Sequence, residues 1–211
     1  MCGPLCGATL PMKPTSTKLY QEFIPRQFSC LLEYSTVIPG VVDAVQRFRR
    51  RDLKIGTTTG YTREMLDMLA EHSSRAGYTA DCNLAPDDVG AGRPHPFMIY
   101  EIAVRLQVYP LAAIAKIGDT PSDIQEGLNA GVWSIGVAET GNINGLSYPE
   151  FQALPASQQQ TRLAAARAEL KQAGAHYVVD SLAELDPVLD DIEVRLKSGN
   201  DSRLPMTRNH E

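Results

Sequence analysis

The sequence is poor in the features that mark membrane, exported, polyanion-binding or zinc-bound proteins. No apolar run approaches the about 20 residues that a bilayer-spanning helix needs, and residues 1–18 have neither the cationic start nor the apolar stretch of a secretory signal. Basic residues are outnumbered: 20 lysines and arginines against 25 aspartates and glutamates give a net charge of −5 and a pI near 5.4. Such a surface has no general attraction for nucleic acid or an anionic membrane, so any anion must be captured locally. The four cysteines, Cys2, Cys6, Cys30 and Cys82, are scattered, and no His or Cys pair follows Cys2 and Cys6 at a zinc-site spacing. They read as reduced, ordinary thiols. These absences lead to the expectation of a cytoplasmic protein whose partner is a small molecule, with no nucleic acid and no membrane involved.

At 211 residues and 43% hydrophobic content the chain can bury one good core. Residues 1–18, rich in Gly, Pro and Thr, read as a disordered lead-in, and 197–211 as a polar, disordered tail. Apolar residues recur at helical spacing over 19–32, with Pro25 as an interruption. Pro39 suits a helix start, and that helix ends in the basic run 47–51. Strands are expected at 53–58, 81–84, 114–117, 132–137 and 176–179. Helices are expected at 62–76, 97–107, 121–130 and 161–173, with a last one opened by a capping box from Ser181 to Glu184. Strands alternating with helices predict an α/β fold, a Rossmann-like parallel sheet covered by helices on both faces.

In open parallel sheets ligands bind beyond the carboxyl ends of the strands, and three such junctions carry chemistry. Thr59-Gly60-Tyr61-Thr62 puts a hydroxyl and a glycine at the mouth of a helix, where nearby backbone N–H groups can grip a phosphoryl oxygen. The alternative is that Thr62 caps the helix and Thr59 belongs to a turn. Arg93 lies in a loop stiffened by Pro94 and Pro96, a guanidinium suited to a multi-oxygen anion or else a surface arginine. Gly118-Asp119-Thr120-Pro121-Ser122-Asp123 sets two carboxylates four residues apart after a buried strand, a hard-oxygen site fit for Mg²⁺. Asp123 also fits a helix-capping role, whereas Asp119 has no structural duty of that kind.

In this order, the Thr-Gly turn, the arginine loop and the Gly-Asp-Thr-x-x-Asp junction resemble the haloacid dehalogenase superfamily. Within it the sequence is similar to the phosphonoacetaldehyde hydrolase family. The resemblance lies in Gly56-Thr57-Thr58-Thr59-Gly60-Tyr61-Thr62-Arg63-Glu64-Met65, in Pro86-Asp87-Asp88-Val89 with Gly92-Arg93-Pro94, in Val108-Tyr109-Pro110, in Gly118-Asp119-Thr120, in Glu126-Gly127-Leu128-Asn129-Ala130-Gly131 and in Gly174-Ala175-His176-Tyr177. It covers about residues 19–196. It implies Mg²⁺-dependent hydrolysis of the carbon–phosphorus bond of phosphonoacetaldehyde to acetaldehyde and phosphate. It also implies an attacking aspartate on an opening strand and a Schiff-base lysine in a helical cap. Carried over, Thr59 and Gly60 hold the phosphonate, Tyr61 borders the substrate, and Arg93 orients the nucleophile and the phosphoryl oxygens. Asp119 ligates Mg²⁺, and Asp123 supports the metal from behind it.

No residue here matches the opening strand or its aspartate, and neither Lys13 nor Lys18 falls in the matching region. The expected organisation is therefore a remnant of the cap and its hinge at 19–38, then a core at 39–196 lacking its first, central strand. Covalent catalysis without its nucleophile loses ~10⁴-fold or more, so negligible turnover is expected of the chain alone. The family's dimers use cap helices largely missing here, so the resemblance gives little support to a homodimer. Two alternatives stand beside this reading: an inactive remnant that binds a phosphorylated ligand or regulates a fuller copy, and a phosphate-ester phosphatase of the same superfamily.

Overall fold

A computed structural model describes residues 31–32, 35–141, 143 and 145–199. The expected lead-in at 1–18, most of the cap remnant and the tail beyond 199 lie outside the described residues. Contacts divide the chain into two units, Met1–Thr36 and Val37–Glu211.

The second unit runs α1 (Val41–Arg50), β1 (Gly56–Thr58), α2 (Arg63–Arg75), β2 (Cys82–Leu84), α3 (Phe97–Leu106), β3 (Ala115–Gly118), α4 (Pro121–Ala130), β4 (Trp133–Val137), α5 (Tyr148–Gln152), α6 (Ala156–Gln172), β5 (Tyr177–Val179) and α7 (Leu185–Lys197). All strand pairs are parallel, as the alternation of elements requires. The strands form two groups, β1-β2 and β3-β4-β5, and β1 and β3 exchange no ladder hydrogen bonds.

The faces follow from the two-residue period of a strand. On β4, Trp133, Ile135 and Val137 join Ala44 and Phe48 of α1 with Leu185 and Ile192 of α7; Ala115 and Ile117 of β3 pack against the same layer. On the other face, Gly136 admits Leu170 of α6, and the Ser134 hydroxyl donates to the Ile124 carbonyl of α4 at 3.0 Å. Leu170 belongs there to a second apolar layer with Ile124, Phe151, Leu163 and Ala166. All five residues of β4 are buried, as befits a strand covered on both sides.

Several boundaries differ from the sequence expectations. β1 is shorter than 53–58, because the Ile55 N–H donates to the Asp81 carboxylate at 2.7 Å instead of joining the ladder. Helix α1 is capped by Gly40 at φ 82°, so Pro39 sits in the preceding turn. Ser181 does not cap: a single 3₁₀ turn, Leu182–Glu184, intervenes, and Glu184 accepts instead from the Asp180 N–H at 3.1 Å. Helix α6 begins five residues before 161, in the polar stretch Ser157-Gln158-Gln159-Gln160 that carries no apolar periodicity. Helix α5, absent from the sequence expectations, is opened by a capping box between Ser147 and Glu150.

Candidate functional site

The junction after β1 folds as a turn followed by a cap. The Thr59 hydroxyl accepts from the Tyr61 N–H at 3.1 Å, and the Thr62 hydroxyl accepts from the Met65 N–H at 3.4 Å, opening α2. The turn and the cap are therefore both present. Accepting from Tyr61 leaves the Thr59 O–H bond itself able to donate. Tyr61 is on the surface, 36% exposed.

Helix α2 is held to the loop after β2 by charge. Asp87 accepts from the Arg63 N–H at 2.6 Å, and the Arg63 guanidinium pairs with Asp88 and donates to the Asn83 carbonyl at 3.0 Å. Further along, Gly92 lies so close to Pro86 that a Cβ there would come within 2.9 Å of the ring. This packing holds the start of the Arg93 loop against Pro86. A Cβ at Gly60 would stand 3.2 Å from Nη2 of Arg93, so the glycine is what lets the guanidinium lie against the turn.

The other end of that guanidinium is fixed by Asp123, which Nη1 contacts directly. Asp123 opens α4 in a capping box with Thr120: its Oδ2 accepts from the Thr120 N–H at 3.2 Å and the Thr120 hydroxyl at 2.6 Å, while its own N–H donates to Thr120 Oγ1 at 3.2 Å. Its Oδ1 also lies 3.1 Å from the Lys116 ammonium. Burial alone would push the Asp123 carboxyl up, but Lys116, the Thr120 hydroxyl and Arg93 outweigh it and hold the carboxyl below its ordinary range. With both oxygens committed, Asp123 is a structural carboxylate that locks Arg93.

Asp119 follows β3 directly, and the bare backbone of Gly141 packs against it: a Cβ there would fall 2.9 Å from the Asp119 Cβ. Among the described residues no group of three or more His, Cys, Asp or Glu is placed to hold a metal ion. Magnesium needs no such cage, since it is commonly held by one or two carboxylates with phosphate oxygens and water. Asp119 fits that donor set as one hard-oxygen ligand.

Close contacts thus join Gly60 to Arg93 and Arg93 to Asp123, and the chain itself carries Asp119 beside Thr120. Sequence reasoning missed Lys116, Glu126 and Thr58. Lys116 is 10% exposed, and Glu126, 2.9 Å from it, is fully buried. The usable signal was a lysine inside the apolar run Ala115-Lys116-Ile117, where a charge requires a partner.

The family model for haloacid dehalogenase-like hydrolases matches residues 14–131. The phosphonoacetaldehyde hydrolase of Syntrophobacter fumaroxidans is 40% identical over 190 residues, 90% of this chain and 69% of that protein. A bifunctional phosphonoacetaldehyde hydrolase/aminoethylphosphonate transaminase of Clostridioides difficile is 39% identical over 87% of this chain, which spans 29% of its length. Among solved structures, a phosphonoacetaldehyde hydrolase-like protein from Oleispira antarctica superimposes with a TM-score of 0.86 at 34% identity, over 90% of this chain and 69% of that one.

Proposed function

Since the chain belongs to the haloacid dehalogenase-like hydrolases, and within them to the phosphonoacetaldehyde hydrolase family, we propose that the tips of β1 and β3 bind phosphonoacetaldehyde for Mg²⁺-dependent hydrolysis of its carbon–phosphorus bond. Water is consumed, and acetaldehyde and phosphate are released. One observation carries this reading: the Arg93 guanidinium is fixed by Asp123 at one end and lies against Gly60 at the other.

The chemistry follows from those positions. The Thr59 hydroxyl and the Gly60 N–H donate to phosphonate oxygens, at a helix mouth that favours anions. Arg93 adds a charge-assisted bond without having to be oriented first, because Asp123 has already fixed it. Tyr61 borders the organic part of the substrate. Asp119 is the residue that would hold Mg²⁺, which when bound neutralises phosphoryl charge, and Asp123 supports it from behind through Thr120 and α4. None of these residues is assigned the nucleophile.

Inorganic phosphate, a product of the reaction, is the direct probe. A charge-assisted hydrogen bond contributes about 1.5–3 kcal/mol, so Arg93→Ala should weaken phosphate binding by roughly ten- to a hundredfold in titration calorimetry. Unchanged affinity would sink the assignment of the anion grip. Asp119→Asn should likewise lower Mg²⁺ affinity, with the fold retained by circular dichroism.

A further inference from the structure

Thr59 leaves the tip of β1 and Asp119 leaves the tip of β3, yet those strands share no backbone ladder. A side-chain link spans the divide. The Lys116 ammonium of β3 donates to the Thr58 hydroxyl of β1 at 2.7 Å, and that hydroxyl donates in turn to Oε2 of Glu126 on α4 at 2.9 Å. Lys116 also reaches Glu126 at 2.9 Å and Asp123 at 3.1 Å. We propose that Thr58 and Lys116 form a positioning clamp, which sets the spacing between the anion-gripping turn after β1 and the carboxylates after β3.

The pairing around Lys116 supports the clamp. The Lys116 ammonium donates to Thr58 on β1 and is ion-paired with Asp123 and Glu126 on successive turns of α4. The Thr58 hydroxyl accepts once and donates once, so its rotor is fixed. Oε1 of Glu126 has no hydrogen-bond partner among the described residues, so Glu126 holds the cluster through Oε2 alone, which Lys116 and Thr58 share. Burial keeps water from competing: the Lys116, Asp123 and Glu126 side chains are 10%, 3% and 0% exposed. Charges alternate through the chain Glu126, Lys116, Asp123, Arg93, so a shift of the ammonium is felt at the guanidinium against Gly60. Thr58 and Lys116 act through these neighbours and do not touch the ligand.

The proposal rests on the reading of Thr59-Gly60 as the anion grip, and the test separates the two. Thr58→Val keeps shape, β-branching and all four charges of the cluster while deleting the hydroxyl; Thr58→Ser restores it. The paired Lys116→Met/Glu126→Gln change removes one charge of each sign and avoids stranding a lone buried ion. Three measurements are made: inorganic phosphate affinity, thermal midpoint, and amide exchange over residues 56–61. Valine should weaken phosphate binding on the order of ten- to a hundredfold, the scale of a misplaced binding group, and should raise exchange at 56–61 with little change in midpoint. Serine should return both to near the wild-type value, and the paired variant should behave as valine does. Unchanged exchange in the valine protein overturns the clamp. Raised exchange with unchanged affinity overturns its positioning role, as does affinity that merely tracks the midpoint in both Thr58 variants. A wild-type protein that takes up no phosphate would instead sink the anion-grip reading, with exchange at 56–61 still deciding whether the clamp exists.

Discussion

Gly118 has no room for a side chain, since a Cβ there would overlap the Cβ and Cγ of Asp123. Asp123 cannot step aside, because it is 2% exposed and tied to Thr120, Arg93 and Lys116. Overpacking of this kind costs about 1–3 kcal/mol, and here the displaced group is the one that holds Arg93. Gly118→Ala should therefore lower both the thermal midpoint and phosphate affinity; if both stay put, the start of α4 is more yielding than its bonds imply. At this scale Thr59, Gly60, Arg93 and Asp119 were legible as residues at strand ends and in loops, and Asp123 as a capping partner of Thr120. Lys116 and Glu126 were not. A lysine in a four-residue strand and a glutamate in mid-helix pass for solvated positions, and their burial depends on partners as far as 58 and 68 residues away in sequence.

Helix α2 illustrates how an element is held by a loop remote in sequence. Its own cap is the 3.4 Å bond to Thr62, while the 2.6 Å bond from the Arg63 N–H goes to Asp87, a carboxylate that also complements the helix dipole. Loss of a capping carboxylate costs about 0.5–2 kcal/mol. Asp87→Ala should lower the denaturation midpoint accordingly and speed amide exchange at the first turn of α2; an unaltered first turn would mean that Thr62 suffices. Helix α4 was readable to the residue, because Thr120, Pro121, Asp123 and Gly131 are all local signals. The true start of β1 was not, since it depends on Asp81 claiming the Ile55 N–H from 26 residues away. The start of helix α6 hid for a different reason: its first turn is polar and offers no periodicity to read.

Across the whole molecule, stability should carry an alkaline signature from the edge of the sheet. The Tyr177 phenol on β5 donates to Asp191 of α7, and burial, followed by that bond and the negative charge, pushes it from 10.0 up to about 12. Its folded value lies above its unfolded one, so the stabilisation is full below pH about 10 and is lost as pH rises toward about 12. Urea titrations of wild type and Tyr177→Phe should differ in slope across that window, the phenylalanine protein being the flatter. Identical slopes would place the alkaline loss elsewhere. On β3, Ala115 and Ile117 point into the layer around Trp133 and Leu185, while Lys116 and Gly118 meet α4. Sliding β3 by one residue along β4 would drive an ammonium in among those hydrocarbon side chains and tear it from its partners on β1 and α4. The same lysine thus works as a key cut for one lock, disfavouring any other alignment of β3 on β4.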